Sequence, residues 1–197
     1  MSVEQLIRRG SFVLLLLFLW VAAGICAIED NFGSARKTEG EHFSIYFAPK
    51  VDSGSLAQRL NLSFSDRFLA GAGGEPSKGF AEAELNSIFD ALFLRICDIL
   101  EMRLYSFKGN IKICSDYQHL KRVYNYLFNR EIAPPAYSFY VYELNTVYIS
   151  AEYFTLGILA HEIAHAIISH YFVVQPSVKI QEILAGYAEY QMRKAAK

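Results

Sequence analysis

Length, composition and charge limit the classes to which this protein can belong. A chain of 197 residues with 53% hydrophobic residues is long enough for one domain with a substantial core, and too short for two ordinary domains. The formal net charge of −1, without a basic patch interleaved with aromatic residues, argues against nucleic acid as a partner.

The N-terminus has the pattern of a targeting segment. Arg8 and Arg9 give it a basic start, residues 12–21 are uninterrupted apolar sequence, and several small residues follow. This pattern predicts a cleaved signal peptide over residues 1–27, and hence a periplasmic or secreted protein. The alternative is an uncleaved membrane anchor over residues 11–28, because this apolar run approaches the roughly 20 residues that span a bilayer.

The elements after a short predicted linker, residues 28–40, alternate between strands and helices. Strands are indicated by alternating apolar and polar positions, and helices by apolar residues three or four positions apart. In chain order we expect a strand over 41–48, a short helix over 51–62 capped by Asp52 or Ser53, a long helix over 80–104, a strand over 111–114 beside the first, a helix from Ser115 or Asp116 to Asn129, a hairpin of strands 137–142 and 146–150, and helices over 155–171 and 178–197. Together they predict a single α+β domain over residues 41–197.

Residues 61–79 fit neither pattern. Three glycines and a proline lie between positions 71 and 76, and this composition predicts an irregular, mobile surface insertion.

Two cysteines follow the targeting segment, Cys97 and Cys114. In an oxidising compartment they can form a disulfide. Each is equally compatible with a small buried side chain, Cys97 in a helix and Cys114 in a strand. Neither belongs to a CxxC pair, so a cysteine-based zinc site is not expected.

The most informative motif is His161-Glu162-Ile163-Ala164-His165, in the predicted helix 155–171. On a helix, residues four apart lie one above the other, so both imidazoles can reach a single divalent ion. The helix is apolar, and burying two histidines and a glutamate in it costs free energy unless something satisfies them. The motif therefore favours a zinc site, with a hydrogen-bonded structural pair as the alternative.

Catalytic zinc usually has three protein ligands and keeps a fourth position for water. We expect Glu182 to be the third ligand, because it begins the next predicted helix, and an antiparallel helix pair would bring its carboxylate to the imidazoles of His161 and His165. Glu162 is offset by about 100° from His161 around the helix. It is therefore predicted to act as general base toward the zinc-bound water.

The residues around the motif follow a wider pattern. They are Asn-x-Val-Tyr-Ile at 145–149, Leu-Ala-His-Glu-Ile-Ala-His-Ala at 159–166, a proline at 176 and Glu-x-Leu-Ala-x-Tyr at 182–187. In these motifs the chain resembles the peptidase MA-like domains of the gluzincin clan. The resemblance implies a zincin-like fold with a small mixed sheet packed on helices, peptide-bond hydrolysis, and an edge strand that aligns a substrate peptide antiparallel to itself.

Two positions depart from the family pattern. The family commonly places a tryptophan three residues before the ligand glutamate and an acidic residue four after it, where this chain has Lys179 and Gly186. A carboxylate beside a metal-bound histidine often fixes the orientation of its ring. Glu189 lies two turns after Glu182 on nearly the same helix face and could substitute for the acidic residue, but a solvated surface role is the favoured interpretation for it.

Other polar and aromatic residues are expected to be structural. His170 is predicted to be a helix-end residue, and His42 and His119 to be structural or surface residues. Tyr187 and Tyr190 could donate a hydrogen bond to an oxyanion, but packing in the core is the favoured interpretation for each.

The leading hypothesis is a small exported zinc metallopeptidase that acts on a peptide or protein substrate and contacts membrane only through an uncleaved N-terminal segment. The alternative is a zincin-fold module of the cell envelope that binds metal or peptide with little or no catalysis. A third hypothesis is a di-iron helical bundle using Glu162 and His165 as an ExxH pair. That fold needs a second such pair and has no place for the predicted strands.

Overall fold

A computed structural model of the chain describes residues 29–60 and 78–195. The predicted targeting segment and nearly all of the predicted insertion lie outside these residues. Within the described ranges, no helix is long and apolar enough to cross a bilayer.

The domain contains five strands and five helices in the described residues. In chain order they are β1 (Arg36–Glu39), β2 (Phe43–Phe47), α1 (Ser53–Arg59), α2 (Lys78–Leu100), β3 (Gly109–Cys114), α3 (Tyr117–Phe128), β4 (Ser138–Val141), β5 (Thr146–Ser150), α4 (Leu156–Tyr171) and α5 (Val178–Ala195). The predicted α+β class is therefore confirmed, with most element ends within a few residues of those expected. A mixed sheet of this size does not fit the di-iron helical bundle.

The five strands form one mixed sheet in the order β1-β2-β3-β5-β4. The three central strands are parallel, because β3 pairs in parallel with both β2 and β5. The outer strands β1 and β4 run antiparallel to their neighbours β2 and β5. Strand β4 is consequently an edge strand, with one side of its backbone not paired within the sheet.

The prediction of a linker over residues 28–40 differs from the structure. Residues 36–39 form β1, and Asp30 is anchored to the sheet by Tyr148 Oη, which donates a hydrogen bond of 2.5 Å, and by Lys112. Phe32 is buried in the core nearby. Strand β1 has no buried face of its own, so its sequence lacks the alternation of apolar and polar residues that would predict a strand. It is held by pairing with β2 and by hydrogen bonds from Asn86 of α2.

The sheet lies between helices. On one face Phe139 stacks on Tyr148 and meets Tyr124 of α3 edge-on. In β5 the two neighbours of Tyr148, Val147 and Ile149, point to the opposite face of the sheet and are fully buried. Helix α4 contacts both β4 and β5, which places it against the end of the sheet where the edge strand lies.

The structure also decides several smaller predictions. Asp52 and Asp116 are the N-caps of α1 and α3, each accepting a hydrogen bond from a backbone N–H of its helix. Cys97 and Cys114 are free and buried, so the disulfide is not formed. His42 and His119 are buried structural residues, with His42 packed on Phe93.

Candidate metal centre

Helix α4 presents the two motif histidines from an otherwise buried element. Its N-cap is Thr155, whose hydroxyl accepts a hydrogen bond of 3.3 Å from the backbone N–H of Ile158. Ile163 and Ile167 are fully buried, whereas His161 and His165 are partly exposed at a cleft. The core contacts of the helix therefore fix the direction in which the two imidazoles point.

Helix α5 lies antiparallel to α4. Side chains meet in opposite order along the two helices: Glu182 contacts His165, Glu189 contacts His161, and Arg193 lies against Gly157. The residues of α5 that are buried are small or flexible, namely Ala185, Ala188 and Met192. This close approach brings Glu182 over the two imidazoles, as the sequence predicts.

Three side chains converge on one point. Their nearest ligand atoms all lie within 4.8 Å of one another. The Nε2 atoms of His161 and His165 are 3.2 Å apart, and the two carboxylate oxygens of Glu182 lie 3.4 Å from these nitrogens, one oxygen to each. Zinc bonds of about 2.0–2.1 Å in tetrahedral geometry place ligand atoms roughly 3.3 Å apart. The spacing and chemistry of this donor set thus fit a tetrahedral zinc ion.

Burial favours the protonation state that metal binding needs. The pKa of His165 is lowered below the usual value, first because the ring is buried and second because of the neighbouring His161. A neutral imidazole has a free nitrogen lone pair and can act as a ligand.

Glu162 is the buried carboxylate of the cleft. Only 6% of the residue is exposed, and Ser138 Oγ of β4 donates a hydrogen bond of 2.7 Å to its Oε1. Burial raises the pKa of Glu162 to about 7, and the Ser138 hydrogen bond opposes that rise. A carboxyl group with this pKa can both take up and release a proton near neutral pH.

Glu189 is not a solvated surface residue, and that interpretation was wrong. Its Oε2 lies 3.1 Å from His161 Nδ1, while its Oε1 pairs with Arg193 at 2.5 Å. The exposed fraction of its side chain is 25%. Because the contact involves the Nδ1 of His161, it leaves Nε2 directed at the candidate metal position.

Gly186 leaves open the position where the family places its acidic residue. A Cβ built there has no atom within 4 Å. Glu189 lies one turn further along α5 and supplies a carboxylate to His161 in its place. The sequence contained a signal for this role, since Glu182, Gly186 and Glu189 share a helix face and Arg193 follows Glu189 at the i+4 spacing of an ion pair.

The converging side chains line a cleft of about 950 Å³. Its walls are β4 with the residues just before it, α4 and α5. Tyrosines missed as site residues in the sequence line the strand side of the cleft: Tyr137, Tyr140 and Tyr142. Tyr187 and Tyr190, predicted to pack in the core, are instead 48% and 62% exposed on α5.

His170 ends α4, as predicted. Its Nδ1 lies 2.9 Å from the carbonyl oxygen of Ala166 in the preceding turn and 3.4 Å from Tyr140 Oη. The ring also packs edge-on against Phe107. His170 is therefore held by the end of its helix and does not join the ligand cluster.

Comparisons of the chain with protein families, with curated proteins and with solved structures find no match. The resemblance to the peptidase MA-like domains therefore rests on the sequence motifs alone.

Proposed function

We propose that this protein is a zinc-dependent peptidase of the gluzincin type. The observation that carries the proposal is the convergence of His161, His165 and Glu182. Their ligand atoms lie within 4.8 Å of one another, and each imidazole Nε2 has a Glu182 oxygen at 3.4 Å, close to the ligand spacing of a tetrahedral zinc site. Zinc in such a site would lower the pKa of a bound water and polarise the carbonyl group of a substrate.

Glu162 is assigned the proton transfers. Its carboxylate accepts a proton from the attacking water as the new C–O bond forms at the scissile carbonyl carbon. It then gives that proton to the leaving nitrogen when the C–N bond breaks, so the reaction consumes one water and releases an acid and an amine. Ser138 holds the carboxylate through Oε1, leaving its other oxygen for this task.

Strand β4 supports a peptide as the substrate. It is an edge strand that also lines the cleft, so its unpaired backbone groups can hydrogen-bond an extended chain. Antiparallel pairing with β4 would carry the scissile bond past Glu162, because Ser138 of this strand is bonded to Glu162. The apolar N-terminal sequence supports an exported location for this activity.

Two measurements on the purified full chain test the proposal. Metal analysis should find one zinc ion per wild-type chain and a loss of that zinc in His161→Ala. Zinc at the same trace level in both would overturn the metal centre.

The second measurement is cleavage of a peptide library. Glu162→Gln should retain zinc and lose turnover by at least about 100-fold, since general acid–base catalysis contributes about that much or more. Zinc-loaded wild type whose cleavage equals that of Glu162→Gln would indicate the binding module instead.

A further inference from the structure

The cleft contains a single formal positive charge among the described residues that line it. Three carboxylates line it, Glu162, Glu182 and Glu189, and Arg193 of α5 is the one lysine or arginine. Arg193 contacts Glu189 through one terminal nitrogen, and its side chain is 60% exposed. A guanidinium group has five N–H donors in a fork that fits a carboxylate, so Arg193 retains donors for a second one.

The guanidinium group lies close to the metal position along the cleft. It crosses the first turn of α4 at Gly157, where a Cβ would stand only 2.4 Å from Arg193 Nε. The absent side chain is therefore what lets Arg193 lie on this turn. Gly157 precedes His161 by four residues, which corresponds to about 6 Å along a helix axis. An extended peptide advances about 3.3 Å per residue, so this separation matches one or two residues.

The direction of the edge strand places a substrate C-terminus at the same end. Ser138 of β4 is bonded to Glu162, and Tyr140 lies beside His170, so β4 and α4 run in the same direction. A peptide paired antiparallel with β4 runs the opposite way, and its C-terminal end lies by the start of α4. That is the end of the cleft where Arg193 lies.

The two ends of the cleft differ in chemistry. Ile158 and Pro135 line the end near Arg193, together with Ala136. The other end has no lysine or arginine in the described part of the chain and is lined by uncharged polar and aromatic side chains, Ser169, Gln175 and Gln181 with Tyr140 and Tyr142. Only the first end therefore combines a cation with an apolar surface for the last side chains of a peptide.

We propose that Arg193 binds the C-terminal carboxylate of the substrate, and that the site releases the last one or two residues of peptides with a free C-terminus. The inference rests on the proposed peptidase function and adds a substrate class to it. The charge of Arg193 then has two partners, Glu189 within the chain and the substrate carboxylate in the cleft.

Matched peptide pairs test the inference in the full chain. Each pair has one sequence, with either a free or an amidated C-terminus, and kcat/KM is measured for both. We expect wild type to prefer the free acid by about 10- to 100-fold, the effect of one charge-assisted hydrogen-bonded pair. Mass analysis should find the released fragment to be one or two residues long.

Arg193→Met should reduce the acid-to-amide ratio toward one. For any one variant, the ratio of kcat/KM for the acid to that for the amide does not depend on zinc loss. Both peptides are assayed with the same preparation, so the fraction of zinc-loaded protein is the same for both. Lys194→Met is the matched control, since Lys194 is the exposed neighbour of Arg193 and does not line the cleft. Equal cleavage of acid and amide by wild type, or a preference that survives in Arg193→Met, would overturn the inference while leaving the peptidase function intact.

Binding provides a readout that needs no turnover. Calorimetry with the Glu162→Gln chain should show tighter binding of the free acid than of the amide, and the added Arg193→Met change should remove the difference. Equal affinities would refute the role of Arg193, even if no peptide is cleaved. Failure of cleavage together with a retained acid preference would refute the peptidase function alone.

Discussion

The two helices of the candidate site are built in opposite ways. Eleven of the 16 residues of α4 are buried, whereas only three of the 18 residues of α5 are. Helix α4 is part of the core and carries His161 and His165 in fixed positions. Helix α5 attaches through Ala185, Ala188 and Met192, and its Glu182 side chain is 55% exposed.

This difference indicates how a metal would be held. Two ligands belong to the rigid part of the fold and need no metal to keep their place. The third depends on the docking of a helix that exposes several apolar side chains beside its charged ones, including Ile180, Ile183 and Tyr190. Zinc bound by all three would therefore add a cross-link between the core and its least buried helix.

The largest expected effect is on the free energy of unfolding, in a comparison of one isoleucine-to-alanine substitution in α4 with one in α5. Ile167→Ala in α4 removes a fully buried side chain and should lower the free energy of unfolding by about 2–5 kcal/mol. Ile183→Ala in α5 removes one that is 61% exposed and should change it by less than about 0.5 kcal/mol. Urea unfolding measures the free energy of unfolding of both variants, and its dependence on urea concentration (the m-value) should stay unchanged. A comparable loss in Ile183→Ala would show that something covers the outer face of α5.

Zinc should stabilise the two helices unequally. At a free zinc concentration 100 times its Kd, binding stabilises the folded chain by about 2.7 kcal/mol. We expect slower amide hydrogen exchange mainly in the first half of α5, around Glu182, because the buried amides of α4 are already protected. In Glu182→Gln this gain should largely disappear. If zinc slowed amide hydrogen exchange equally in α4 and α5, the distinction between a rigid α4 and a metal-dependent α5 would be contradicted.

The smallest effect concerns the carboxylate that orients His161. Glu189→Gln should weaken zinc binding by about 10- to 100-fold in chelator competition, the range for removing such an outer contact. Glu131→Gln is a control at an exposed glutamate outside the cleft lining. Adding Gly186→Asp to Glu189→Gln should recover part of the affinity, because the space beside Gly186 is open. Unchanged affinity in Glu189→Gln would mean that His161 needs no orienting carboxylate.

Much of the fold was predictable because its elements have strong local signals. Helix α4 has an apolar sequence and a Thr155 cap, and β5 has a run of buried β-branched and aromatic residues, so both were predicted closely. Strand β1 was not, since three of its four residues are exposed and its order comes from tertiary contacts, namely pairing with β2 and hydrogen bonds from Asn86 of α2. Local periodicity cannot reveal a strand without a buried face.

The candidate site likewise has residues that local sequence patterns predict and contacts that only the tertiary structure shows. His161, Glu162 and His165 follow from helical spacing alone, and Glu182 follows from an antiparallel helix pair. The sequence shows that Glu189 shares a helix face with Glu182. Whether Glu189 reaches His161, and whether Arg193 crosses Gly157, depends on the depth and rotation of α5 against α4, which the sequence does not specify. The same limit applies to Tyr187 and Tyr190, since a tyrosine fits a core or a surface equally well in sequence.

The sequence by itself determined the side chains of the candidate site: two histidines four residues apart on a helix, a glutamate between them and a second glutamate on the following helix. These relations are local, and helical geometry sets them. Tertiary structure decided which groups surround that chemistry. The closeness of α5 to α4, the burial of Glu162 beside Ser138 and the placement of an edge strand along the cleft all depend on contacts between segments distant in the chain, which no local pattern specifies.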